Sequence, residues 1–189
     1  MRLFVALDLP SSLRERLSWM AGGLPGARWV PPENYHLTLR FIGEVPGWQA
    51  EEVDHALASL RAPAFTLKLA GIGTHQKGSK VEALWAGVER SPALDHLQSK
   101  VETALQRAGL ERERRRFVPH VTLARLNGIP EAKVAAWVAR HNLFRSTPVP
   151  MDYFTLFSSR LGKQQAAYVP EVEYGLNPTA AGAQTGAPL

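Results

Sequence analysis

Two stretches decide the fold: Tyr35-His36-Leu37-Thr38-Leu39-Arg40-Phe41-Ile42 in the first half of the chain and Pro119-His120-Val121-Thr122-Leu123-Ala124-Arg125 in the second. Each carries a His-x-Thr-x pattern with apolar residues at both x positions, inside a β-prone run. A strand sends residues i and i+2 to one face, about 6.5–7 Å apart. His36 and Thr38 therefore share a face, as do His120 and Thr122. Leu37, Leu39, Val121 and Leu123 turn the other way, into a core. Two such strands facing each other would present two imidazoles and two hydroxyls to one cleft, with no carboxylate between them.

That set suits acid–base chemistry on a phosphate. An ordinary imidazole titrates near about 6.5, so one ring can take a proton while the other gives one. Phosphoryl displacement runs in line, which places attacking and leaving oxygens on opposite sides of phosphorus. Thr38 and Thr122 can donate to the non-bridging oxygens, where negative charge gathers. The spacing does not say which histidine donates and which accepts. Strict alternation puts Arg40 on the catalytic face, as a phosphate binder or a strand-end salt bridge. It turns Arg125 to the opposite face unless the strand bulges first. Zinc is the other use of paired histidines, but the chain has no cysteine and neither motif carries an acidic residue on its strand face. No metal and no cofactor are expected. His55 and His96 fall on helices, His141 near a helix C-terminus, and His75 in a Gly-rich loop that is either solvated or in touch with substrate.

Working outward, Leu3–Leu7 reads as a buried strand, and Pro10-Ser11-Ser12 opens a helix to about Met20. Arg28-Trp29-Val30 is a short extended piece. Apolar residues at helical spacing mark Trp48–Leu60, and Phe65–Leu69 alternates as a strand. Gly71–Lys80 is polar and Gly-rich, so a loop is expected there. Val81–Val88 is strand. Ser91-Pro92 opens a long helix that Gly109 stops, Phe117–Leu126 holds the second motif, and Pro130 opens a helix to about Arg140. Pro150–Ser158 and Tyr168–Tyr174 close the sheet. The similar order of elements around each motif predicts a duplicated α+β protein: bilobal and pseudo-symmetric, with two antiparallel sheets facing a central cleft and helices outside. One domain over 1–176 and a disordered tail over 177–189 are expected.

Bulk properties set limits. The 189 residues are 45% hydrophobic, enough for a sizeable core, and contain no apolar run of membrane-spanning length. A net charge of +5 and a pI near 9.8 suit an anionic partner. The basic cluster Arg112-Glu113-Arg114-Arg115-Arg116 precedes the second motif and is either a solvated turn or a phosphate-contacting edge. Trp29, Trp85, Trp137, Phe4, Phe117 and Tyr35 read as packing. A cytoplasmic monomer is expected.

The paired motifs and their surroundings resemble the two-histidine (2H) phosphoesterase superfamily, in its RNA 2′,3′-cyclic phosphodiesterase or 2′-5′ RNA ligase branch. The matching stretches are Arg2–Leu7, Trp29–Gly43 and Arg115–Arg125, with weaker likeness over Leu84–Gly87 and Phe154–Ser159. The resemblance implies a metal-independent enzyme that hydrolyses the 2′,3′-cyclic phosphate of an RNA or nucleotide, tRNA halves included, to a 2′-phosphate. It implies His36 as proton donor, His120 as proton acceptor, Thr38 and Thr122 on the phosphate, and Arg125 on substrate. Two segments depart from the family pattern: Gly73–Gly78, and Gly162–Tyr168, which lacks the usual glycine before the aromatic. Two other functions share these features: 2′-5′ RNA ligation in the same site, and a non-catalytic RNA-binding module.

Overall fold

The computed structural model describes residues 1–178. Along them run β1 (Arg2–Asp8), α1 (Ser11–Ser18), β2 (Arg28–Trp29), β3 (His36–Glu44), α2 (Gly47–Ala58), β4 (Phe65–Leu67), β5 (Leu69–Lys77), β6 (Lys80–Val88), α3 (Pro92–Arg107), β7 (His120–Arg125), α4 (Glu131–His141), β8 (Val149–Met151), β9 (Tyr153–Leu161) and β10 (Ala166–Gly175). The chain is α+β, as the element pattern predicted.

A run that is apolar on both faces belongs in the middle of a covered sheet. β1 behaves so: Leu3, Val5 and Leu7 pack into the main core, while Phe4 and Ala6 are buried on the opposite face with Phe157. The main sheet runs β10-β9-β1-β3-β7-β6-β5, with β2 attached to β7, and is antiparallel throughout. A separate small sheet joins β4 to β8. The main sheet has a seam at its centre, because β3 and β7 share a single pair, Leu37 with Val121. Both side chains are fully buried, and burying a Leu or Val contributes roughly 1.5–3 kcal/mol. The two antiparallel sheets of the expected bilobal fold are the halves on either side of this seam.

Neither half is built from one half of the sequence. β1 and β3 share their half with the late strands β9 and β10, while β7 pairs with the early strands β2 and β6. One hydrophobic cluster continues through both lobes, so the lobes share a core. Helix α3 shows why these segments are helical: Ser91 caps it by accepting the Leu94 amide at 3.2 Å, Pro92 opens it, and Leu94, Leu97, Val101 and Leu105 make a buried stripe.

Three expectations need correction. Gly71–Lys80 is not a loop: it is most of β5 and a tight turn at Gly78, where φ is +63°. Its polar composition fits an edge strand with a wet face. Its glycine at position 73 is needed because any side chain there would overlap the Trp85 indole opposite. Second, Phe65–Leu69 is split at Lys68 between the two sheets. Third, Asn177 is ordered, exchanging backbone hydrogen bonds with Ala62 and Ala64 at 2.9 and 2.7 Å. Residues 179–189 of the expected tail lie outside the described residues. No helix among the described residues is long and apolar enough to cross a membrane.

Candidate active site

The seam sets the site. With Leu37 opposite Val121, antiparallel register places His36 across from Thr122 and Thr38 across from His120. The two histidines are then diagonal neighbours across the seam. Beyond the seam the strands part, and a cleft of about 280 Å³ opens between them, lined by His36, Thr38, His120 and Thr122 together with Arg125. A larger hollow of about 550 Å³ lies between α2 and α3, away from both motifs.

Both imidazoles are held in the same way. The Nδ1 of His36 is 2.7 Å from the Asn34 carbonyl, and the Nδ1 of His120 is 2.7 Å from the Val118 carbonyl. A carbonyl only accepts, so each Nδ1 carries the proton and Nε2 is the ring nitrogen left to exchange protons. The residue two before each histidine supplies this clamp: Asn34 ends a single 3-10 turn, Pro32–Asn34, and Val118 precedes Pro119, so a proline stiffens each approach.

The arginines are placed by bulges. Ala6 pairs with Thr38 and Val5 with Arg40, so Leu39 is an extra residue against β1. Trp85 pairs with Thr122 and Leu84 with Ala124, so Leu123 is an extra residue against β6. Each bulge reverses the alternation after the threonine. Arg40 is thereby turned out of the cleft, to the helix side, where its Nε donates to Glu102 of α3 at 2.7 Å. The phosphate-binding position expected for Arg40 is corrected to the salt bridge. Arg125, which strict alternation sent away, lines the cleft. Residue i+5 takes the place expected of i+4 in both strands: Phe41 in one, Arg125 in the other.

The two histidines have different neighbours. His36 packs 4.9 Å from the Phe4 ring, edge-on to Tyr168 at 5.1 Å, and 6.3 Å from Phe157. Burial among these groups lowers its pKa to about 4; the Asn34 carbonyl opposes this, and the charges of Arg14, His120 and Arg125 add to it. His120 lies 5.6 Å from Trp85, beside Arg125. The wall also holds His75, brought in by β5, and Trp85, which is half-exposed rather than core. Phe41, Arg115 and Tyr168 reach the cleft too. The doubled apolar pair Leu123-Ala124 was the one signal that alternation had broken; Leu39-Arg40 carried none. Trp137 is fully buried, as read. Among the described residues, no three His, Cys, Asp or Glu side chains gather into a metal-binding set.

Comparison with known proteins finds relatives over nearly the whole described chain. The model of the LigT like Phosphoesterase family matches residues 7–85 and 87–168. An RNA 2′,3′-cyclic phosphodiesterase of Geobacillus stearothermophilus is 36% identical over 128 residues, 65% of this chain and 41% of that protein. One of Escherichia coli (strain K12) is 31% identical over 179 residues, 93% of this chain and 96% of that protein. The match thus spans less than half of the first relative and nearly all of the second. The crystal structure of E. coli LigT complexed with 3′-AMP superposes with a TM-score of 0.75 at 27% identity, covering 93% of this chain and 97% of that one.

Proposed function

We propose, for a chain that belongs to the LigT-like phosphoesterase family, that it hydrolyses the 2′,3′-cyclic phosphate at the end of an RNA to a 2′-phosphate. The observation that carries this is the pairing of two carbonyl-clamped imidazoles across one cleft with two threonines and Arg125. Its relatives' names supply the substrate class. The strained five-membered ring lowers the barrier, so positioned acid and base suffice and no metal is required. Thr38, Thr122 and Arg125 hold the non-bridging oxygens. His120 Nε2 takes a proton from water, and His36 Nε2 gives one to the departing 3′ oxygen. Burial by itself keeps His36 neutral. An anionic phosphate beside it favours the imidazolium, so substrate arrival charges the acid. The working form is a cytoplasmic monomer, with cleaved tRNAs among its substrates.

The low pKa of His36 favours a second assignment, in which His36 is the base and His120 the acid. Replacing the leaving 3′ oxygen by sulfur separates them, because a thiolate departs without an acid. Such a substrate rescues alanine at the acid position and not at the base. The function itself is tested with a 2′,3′-cyclic mononucleotide, EDTA and identification of the product. Turnover that survives chelation and yields the 2′-phosphate is expected. No turnover, or loss with EDTA, overturns the reading.

A further inference from the structure

The carbonyls that clamp the two imidazoles lie outside the sheet, since β3 begins at His36 and β7 at His120. Connecting backbone is more mobile than strand backbone, so something must hold Asn34 and Val118 in place. An arginine does so on each side. Arg14 of α1 donates from Nη1 to the Glu33 carbonyl at 2.7 Å and to the Pro32 carbonyl at 3.0 Å. Its Nη2 donates to Asp8 at the end of β1, and its Nε to the Leu9 carbonyl at 2.7 Å. Arg90, between β6 and α3, donates from Nη1 to the Phe117 carbonyl at 3.2 Å and from Nη2 to Asp95 at 2.9 Å.

The two arrangements correspond atom for atom. Glu33 is the third residue before His36, and Phe117 the third before His120. On each side Nη1 takes that carbonyl and Nη2 takes an aspartate Oδ1. They also come from the same place in the fold. The strand order β1-β3-β7-β6 gives each motif strand one outer neighbour, and the brace comes from the chain just after that neighbour. A guanidinium is planar, so a fork held at both tips acts as a strut. Neither arginine lines the cleft.

We infer that Arg14 and Arg90 are positioning residues, each holding the backbone that fixes the tautomer and aim of its own histidine. The inference rests on the hydrolase reading for its effect on rate, and carries that reading to residues outside the cleft. With the clamp held, the proton stays on Nδ1 and Nε2 faces substrate. With the clamp loosened, the ring mixes tautomers and Nε2 loses its aim. A displacement of about 1 Å at a reacting group can cost up to about a hundredfold in rate. The braces are unequal: Arg14 and Asp8 are 20% and 30% exposed, Arg90 and Asp95 45% each. Arg14 also grips two carbonyls of its turn where Arg90 grips one. The His36 side should be the more sensitive.

Arg14→Gln and Arg90→Gln test this by two readouts. In heteronuclear NMR of the ring nitrogens at alkaline pH, each substitution should move its own histidine from the Nδ1–H form toward a tautomer mixture. The other histidine should keep the parent's spectrum. For a 2′,3′-cyclic mononucleotide, kcat should fall about tenfold in Arg14→Gln and by less in Arg90→Gln, with KM nearly unchanged because no substrate contact is lost. The more exposed Arg90 pair carries the test alone if Arg14→Gln does not fold. A folded variant whose own histidine keeps the parent's spectrum, or one that disturbs both rings alike, overturns the inference and leaves the hydrolase reading standing. If the spectra change as expected while the unsubstituted protein turns over no cyclic phosphate, the bracing stands and the hydrolase reading falls.

Discussion

The strands β3 and β7 are alike in backbone and unlike in everything around it. Each has histidine and threonine two apart, a carbonyl two residues upstream on Nδ1, and one extra residue directly after the threonine. Around His36 are Phe4, Phe157 and Tyr168; around His120 are Trp85 and Arg125. The shared backbone aims both imidazoles at one point. The unlike surroundings act on proton affinity at His36, where burial among the aromatic rings holds the pKa down to about 4.

Removing either ring should break the pair outright. His36→Ala and His120→Ala are each expected to lower turnover of a cyclic mononucleotide by about a hundredfold to ten-thousandfold, the usual worth of a positioned acid or base. Binding of RNA, followed by fluorescence anisotropy, should survive. Unchanged turnover in either variant would end the two-histidine account and revive the RNA-binding alternative.

The surroundings of His36 can be read from stability against pH. Its folded pKa of about 4 lies below the ordinary histidine value. The stabilisation from keeping it neutral is therefore fully present above pH 6.5 and is lost as the pH falls toward 4. The total is on the order of 3 kcal/mol. Chemical denaturation between pH 7 and 4 should show the parent losing stability more steeply than His36→Gln. Parallel curves would mean that the ring is not shielded as described.

Arg40 and Ala124 are the next pair, each the second residue after its threonine. Ala124 is simply buried, whereas Arg40 reaches Glu102 with both side chains largely covered. Removing one partner of a covered ion pair leaves the other charge uncompensated. Arg40→Ala should cost roughly 3 kcal/mol of stability, measured by urea unfolding, while a phosphate-binding role would instead show as a large loss of kcat/KM on a mononucleotide at unchanged stability.

How much was legible follows from the same bulges. Period-two alternation located His36, Thr38, His120 and Thr122, because nothing interrupts the strands between those residues. It failed at Arg40 and Arg125 in opposite senses and for one reason, an inserted leucine after each threonine, which the doubled apolar pair Leu123-Ala124 betrays in one strand and nothing betrays in the other. The seam was beyond reach too, since a single backbone pair has no side-chain signature. His75 was set in a loop because a polar edge strand looks like one until its partner is known, and Trp85 was read as packing although its strand was recognised; the clue was Gly73, whose want of a side chain makes room for an indole.

The finest comparison is between Phe41 and Arg125, which occupy the same place after the two bulges and line the same cleft. Arg125 supplies charge where phosphate charge collects, and a charge-assisted hydrogen bond contributes about 1.5–3 kcal/mol. Arg125→Ala should therefore lower kcat/KM on the mononucleotide at least about tenfold. If the strands are equivalent in geometry, a guanidinium at position 41 views the same phosphate from the other lobe. Phe41→Arg in the Arg125→Ala background should then recover part of that loss, with a steeper salt dependence than the single variant. Failure to recover any of it would mean that the phosphate sits against β7 alone, so that the strands share a backbone without sharing the substrate equally.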